Sequence, residues 1–119
     1  MINIYHNDIH RISVVHDFLL QEECEEILRY SWQNLKPANV ASADGKGQKH
    51  EGRTGSHTWL QHDATPVILG VANRISQMVR MPLENAEPFQ IVHYDVGQKY
   101  DYHFDSFDES DESHFDGYV

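Results

Sequence analysis

Two segments of the chain carry mostly hydrophobic residues at the three- and four-residue spacing of an amphipathic helix. In the segment 21–35 the spaced residues are Cys24, Ile27, Leu28, Ser31, Trp32 and Leu35. In the second segment they are Ile68, Val71, Ala72, Ile75, Met78 and Val79. Thr65 is a favourable N-cap and Pro66 suits the first helical position, so the second helix is predicted to begin there and to end at Arg80, before Pro82. The stripe of the second helix indicates core packing.

Four runs rich in β-branched and aromatic residues predict β-strands. They are residues 11–18, 53–60, 87–94 and 99–105. The four residues 95–98 between the last two runs predict a tight turn, in which Gly97 tolerates a positive φ. Two polar segments without a core face, 38–52 and 106–113, are predicted to be loops. This arrangement, without an internal repeat or linker, indicates one α+β domain.

Composition and charge limit the classes of partner. The chain has 119 residues, of which 19 are acidic and 9 are basic, and its formal net charge is −10. Phosphate binding needs clustered Lys and Arg, so this balance argues against nucleic acid and against an anionic membrane surface as partners. An acidic surface either steers a basic substrate towards the protein or serves solubility alone, and both interpretations stay open.

Cysteine content and the N-terminal segment bear on the cellular compartment. Cys24 is the single cysteine, so no internal disulfide is expected, and its place on the helical stripe indicates a small core residue. No apolar run is long enough for a membrane span. Residues 1–6 lack the basic start and the apolar run of a signal peptide. A soluble cytoplasmic or otherwise intracellular protein is therefore expected.

One pair of residues carries candidate chemistry. His103 and Asp105 are two positions apart in a predicted strand, where side chains at i and i+2 share a face. One imidazole and one carboxylate are two of the three ligands in the 2-His-1-carboxylate triad of non-haem Fe(II) oxygenases. Such pairs also arise by chance, and the alternative is a solvated strand end without a ligand.

A wider motif surrounds this pair, Tyr94-x-x-Gly97-Gln98-x-Tyr100-x-x-His103-x-Asp105. Before it come Phe18-Leu19, Glu23-Cys24, Arg53-Thr54-Gly55-Ser56, Trp59-Leu60 and Glu87-x-x-Gln90. In this order the motifs resemble the prolyl 4-hydroxylase family of Fe(II)/2-oxoglutarate-dependent dioxygenases. The resemblance covers residues 12–107 and is most specific over residues 87–105.

The resemblance implies a fold, a set of cofactors and a reaction. The fold is the front part of a double-stranded β-helix, or jelly roll, with two supporting helices. The cofactors are Fe(II), 2-oxoglutarate and O2, with ascorbate keeping the iron reduced. The reaction is hydroxylation of a peptidyl proline or a related peptide or protein substrate, with succinate and CO2 as co-products.

The resemblance also implies roles for individual residues. His103 and Asp105 are the implied metal ligands. Tyr94 is the implied donor of a hydrogen bond to the distal carboxylate of 2-oxoglutarate, and a half-buried strand tyrosine without that role is the alternative. Arg53 and Trp59 are the implied substrate-binding residues, and an ordinary surface arginine and core tryptophan are the alternatives.

The chain departs from the family pattern after Asp105. The family's later strands contribute a distal histidine and a basic residue that pairs with the 2-oxoglutarate carboxylate, and neither is present. We therefore expect residues 1–119 to be a truncated dioxygenase domain without C-terminal strands, inactive alone. The alternatives are a non-catalytic binding module that keeps the fold, or a divalent-cation-binding protein based on the acidic residues 105–116. Separately, His114 is a candidate third metal ligand, because it is the only histidine after Asp105.

Overall fold

The computed structural model describes residues 3–38 and 52–105. The chain divides into two compact units. The first comprises Met1–Pro37 with Ser56–His93, and the second comprises Ala38–Gly55 with Tyr94–Val119. The predicted loop 106–113, most of the predicted loop 38–52, and His114 lie outside the described residues.

The first unit contains two helices and two antiparallel sheets, which confirms the mixed α and β content predicted from the sequence. Its elements in chain order are β1 (Asn3–Asn7), β2 (Ile12–His16), α1 (Gln21–Ser31), a 3-10 turn (Trp32–Asn34), β3 (Lys36–Pro37), β4 (Ser56–Leu60), α2 (Pro66–Val79), a second 3-10 turn (Leu83–Asn85) and β5 (Phe89–His93).

The two sheets are small. β1 pairs with β2, and β4 lies between β3 and β5 in a three-stranded sheet. The register of the second sheet places Ser56 opposite His93 and Leu60 opposite Phe89. The predicted strands 11–18 and 87–94 are therefore confirmed in their central residues, and the predicted strand 53–60 is confirmed from Ser56 onwards. β1 and β3 were not predicted, because short polar strands such as Lys36–Pro37 are defined by their partner and not by a local pattern.

Local signals at the helix ends act as the sequence predicts. The Thr65 hydroxyl oxygen accepts a hydrogen bond from the backbone N–H of Ile68 at 3.2 Å, so Thr65 is the N-cap of α2. Arg80 ends the helix in the left-handed conformation, with φ of 56°. Neither helix, nor any other in the part of the chain that the structure describes, is long and apolar enough to cross a membrane.

The core of the first unit forms around the first two turns of α2. Ile68, Val71 and Ala72 are buried, together with Leu60 of β4. The predicted stripe is therefore confirmed in its first half, whereas Met78 and Val79 at its end are substantially exposed. The second half instead borders a mainly apolar cavity of about 380 Å³, lined among others by Ile75, Val79, Leu83 and Phe89.

An ion pair joins the two helices. Both guanidinium Nη atoms of Arg74 on α2 donate to the carboxylate of Glu23 on α1, and Nη1 also donates to the Phe18 carbonyl at 2.8 Å. The same carboxylate accepts the N–H of Leu20 at 2.9 Å, which satisfies one free donor at the start of α1. The Arg74 hydrogen bond and then the Leu20 N–H lower the pKa of Glu23.

Replacement of Glu23 by glutamine is expected to lower the melting temperature by a few degrees at neutral pH. A carboxylate with a lowered pKa in the folded state stabilises above its unfolded pKa of about 4.3, and this stabilisation disappears as the pH falls through the folded pKa. The difference between the two proteins should therefore shrink below about pH 4. Glu22→Gln, at the exposed neighbouring position, is the matched control. A difference in melting temperature between the wild type and Glu23→Gln that does not change with pH would contradict a stabilising role for the Glu23 carboxylate.

Candidate metal centre

In the second unit, two distant segments are held together by backbone hydrogen bonds. Thr54 N–H donates to the Lys99 carbonyl at 2.9 Å, and Asp101 N–H donates to the Gly52 carbonyl at 2.7 Å. These two bonds flank an isolated antiparallel bridge between Arg53 and Tyr100. In such a non-hydrogen-bonded pair the two side chains leave the same face at close range. The register therefore places the side chain of Arg53 beside that of Tyr100.

The predicted turn at residues 95–98 is confirmed. Gln98 N–H donates to the Asp95 carbonyl at 2.9 Å, and the side-chain oxygen of Gln98 accepts the N–H of Asp95 at 2.9 Å. Gly97 has φ of 84°, which a side chain would disfavour. The turn brings the chain to the bridge at Tyr100.

The predicted strand over residues 99–105 is wrong. Only Tyr100 forms a bridge, and residues 101–105 are irregular. A strand needs a partner for its backbone groups. Beyond Asp101, no segment among the described residues supplies one, because β5 pairs with β4 and not with this segment.

His103 and Asp105 nevertheless lie side by side. The Nε2 atom of His103 is 2.9 Å from Oδ1 of Asp105. The Nδ1 atom of His103 is 2.7 Å from the backbone carbonyl of Asp101. A carbonyl only accepts, so Nδ1 carries a hydrogen and Nε2 is the nitrogen that faces the carboxylate. The irregular backbone, and not a shared strand face, brings the pair together.

This arrangement suits two adjacent positions on an octahedral divalent cation. With bonds of about 2.1 Å, neighbouring ligand atoms of such a cation lie about 3.0 Å apart. An imidazole whose second nitrogen donates to a carbonyl is the usual form of a metal-binding histidine. In the ranges 3–38 and 52–105, no group of three His, Cys, Asp or Glu side chains is arranged to hold a metal ion. The described residues thus bring together one imidazole and one carboxylate.

One aromatic ring stacks on the imidazole of His103. The ring centroids of Tyr100 and His103 are 3.7 Å apart, and the planes differ by 13°. The guanidinium carbon of Arg53 lies 4.5 Å from the centroid of the same tyrosine ring. Tyr100 has an obvious place in the sequence motif, but its contact with His103 depends on the irregular backbone after Asp101. The sequence alone therefore does not predict a role for Tyr100.

The other predicted site residues are placed differently. Tyr94 directly follows β5 and is 42% exposed. The strand predicted over residues 87–94 ends at His93, so Tyr94 lies just outside it, and residues 101–105 form no strand. Trp59 lies in β4 of the first unit, is 50% exposed, and pairs across the sheet with Gln90. The structure thus brings together Arg53, His103 and Asp105 within the second unit.

Comparison with known proteins identifies the relatives of this chain. No family model matches it. Over 98 residues, or 82% of the chain, it is 36% identical to "Prolyl 4-hydroxylase 2" of Arabidopsis thaliana and covers 33% of that protein. Over the same share of the chain it is 37% identical to "Prolyl 4-hydroxylase 5" of the same organism, covering 34% of it. "Probable prolyl 4-hydroxylase 4" is also 37% identical, with 33% covered.

The predicted resemblance is confirmed: over 82% of its length the chain is similar to prolyl 4-hydroxylases. It spans about a third of the length of the curated relatives that it matches.

Proposed function

We propose that this chain is part of an Fe(II)- and 2-oxoglutarate-dependent dioxygenase that hydroxylates a peptidyl proline or a related residue of a peptide or protein. The observation that carries the proposal is the 2.9 Å contact of His103 Nε2 with Asp105 Oδ1 in a prolyl 4-hydroxylase-like chain. When bound, Fe(II) would allow O2 to oxidise the substrate, coupled to the conversion of 2-oxoglutarate to succinate and CO2.

In this proposal the residues of the chain bind the metal ion and orient the substrate. His103 presents Nε2, because its Nδ1 hydrogen is engaged by the Asp101 carbonyl. Asp105 contributes a negative charge beside that nitrogen, and its side chain is 95% exposed and accessible to a cation. Metal ligands must be deprotonated, so His103 Nε2 and the Asp105 carboxylate would be the groups that hold the cation. Arg53 and Trp59 are proposed to guide the substrate to the metal.

The proposed domain is a double-stranded β-helix of which residues 1–119 form the front part. Two features support this proposal. The second sheet has an edge strand, since β5 pairs only with β4 among the described residues. Long unprotected edges are normally paired or covered in native proteins. The curated relatives are also about three times as long as the matched part.

Tyr94→Phe tests the proposed cosubstrate contact. The phenol hydroxyl is a neutral donor suited to the distal carboxylate of 2-oxoglutarate. Losing one hydrogen bond to a charged group should cost on the order of 1.5–3 kcal/mol, about tenfold or more in affinity. The measurement is a calorimetric 2-oxoglutarate titration, with Mn(II) present, of a longer polypeptide that contains this chain. Tyr102→Phe, at a fully exposed tyrosine, is the control. Equal affinity in both variants would remove Tyr94 from the site.

A succinate assay tests the function as a whole. The chain and any longer polypeptide that contains it are incubated with Fe(II), 2-oxoglutarate, ascorbate and a panel of proline-rich peptides. We expect succinate from the longer polypeptide, none from its Asp105→Ala variant, and none from the 119-residue chain. Tight binding of Fe(II) and 2-oxoglutarate by the 119-residue chain, with succinate on adding O2, would contradict the proposed need for further ligands.

The second candidate is a non-catalytic binding module that keeps the fold. The observation that favours it is that the described residues hold no group of three potential metal ligands. A longer polypeptide that binds a proline-rich peptide without forming succinate would support this candidate over the enzyme.

A further inference from the structure

We infer that Tyr100 and Arg53 are positioning residues for His103, and that they hold its imidazole in the metal-binding orientation before any cation arrives. The inference rests on the proposed function for the identity of the ligand. It goes beyond that function because it assigns Tyr100 a role that the motif alone does not state. It also gives Arg53 a role separate from guiding the substrate.

The backbone sets up the arrangement. The register of 52–54 against 99–101 fixes Arg53 and Tyr100 on one face. Thr54 reinforces it, since its hydroxyl oxygen accepts the N–H of Lys99 at 2.9 Å while its own N–H donates to the Lys99 carbonyl. These hydrogen bonds hold the backbones of Arg53 and Tyr100 opposite one another. The tyrosine ring contacts His103 from its own segment and Arg53 from the paired segment.

The stack has a defined order. A His103 ring at 3.7 Å and nearly parallel occupies one face of Tyr100. No room remains on that face for the guanidinium of Arg53, whose carbon is 4.5 Å from the same centroid. Arg53 must therefore lie against the other face, with Tyr100 between the two. A cation over an aromatic face is attracted by the ring quadrupole.

The order of this stack matters for a metal ligand. The tyrosine ring sets the plane of the imidazole, and the Asp101 carbonyl sets its rotation within that plane. Together they leave Nε2 directed at Asp105. Tyr100 also separates His103 from the positive charge of Arg53, so the arginine supports the stack without direct contact with the ligand. Partners that orient a metal-binding histidine commonly affect metal affinity about 10–100-fold.

The test compares Tyr100→Phe with Tyr100→Leu in the 119-residue chain. Phenylalanine keeps the aromatic ring, whereas leucine keeps apolar bulk without it. Tyr102→Leu is the control, because Tyr102 is fully exposed and adjacent to His103. Proton NMR reports the stack directly, since protons above an aromatic face are shifted upfield. Mn(II) titration, followed by broadening of the His103 ring signals, reports the metal affinity.

We expect upfield-shifted His103 ring signals in the wild type, in Tyr100→Phe and in Tyr102→Leu, and their loss in Tyr100→Leu. Mn(II) affinity should fall about tenfold or more in Tyr100→Leu and stay unchanged in Tyr100→Phe and Tyr102→Leu. Arg53→Gln should reduce the upfield shift in part. Unshifted His103 signals in the wild type, or unchanged Mn(II) affinity in Tyr100→Leu, would overturn the inference. If the upfield shift depends on Tyr100 but Mn(II) never broadens His103, the stack is supported and the proposed metal-dependent function is contradicted.

Discussion

Asp105→Asn is expected to lower the affinity of the chain for Mn(II) or Fe(II) by about tenfold or more. The physical reason is that loss of even an outer partner of a metal ligand costs about 10–100-fold, and Asp105 is proposed as a ligand itself. Binding by the wild-type chain should already be loose, because two ligands hold a metal less firmly than three. The measurement is an anaerobic titration followed by calorimetry or by the Mn(II) electron paramagnetic resonance signal.

Asp101→Asn is the matched control for this prediction. It removes the same charge two residues away, where the carboxylate pairs with Lys99 Nζ at 2.9 Å. Its backbone carbonyl, which holds His103 Nδ1, is unchanged. We expect a smaller loss than in Asp105→Asn. Equal losses would mean that acidic residues in this region collect cations without selectivity, as the cation-binding alternative requires.

Ile68→Ala is expected to reduce the free energy of unfolding by about 2–5 kcal/mol. Ile68 is fully buried, and removal of its side-chain atoms loses the transfer free energy and leaves a cavity at the centre of the first unit. The neighbouring Val67 is 40% exposed, so Val67→Ala should change stability by no more than about 0.5 kcal/mol. Urea denaturation of both variants at 25 °C provides the measurement. A loss below about 1 kcal/mol for Ile68→Ala would contradict the described packing of α2.

Several features of this protein follow from the sequence alone because their causes are local. The start of α2 depends on the Thr65 hydroxyl and an N–H three residues later. The turn at 95–98 depends on Gly97 and on contacts between Asp95 and Gln98. Helix caps and turns satisfy their backbone groups within a few residues, so a single segment is enough to determine them. The motif around His103 likewise determined the family resemblance that the relatives confirm.

The tertiary structure alone decided the geometry around His103. The pattern of residues 99–105 predicts a strand, but a strand forms only where a distant segment supplies hydrogen-bond partners. In this chain that partner is Gly52–Thr54, and the pairing ends at Asp101. The imidazole then turns back onto Tyr100 and reaches Asp105 through an irregular backbone. Residue spacing describes neighbours along the chain, whereas this contact depends on the register between two segments far apart in sequence.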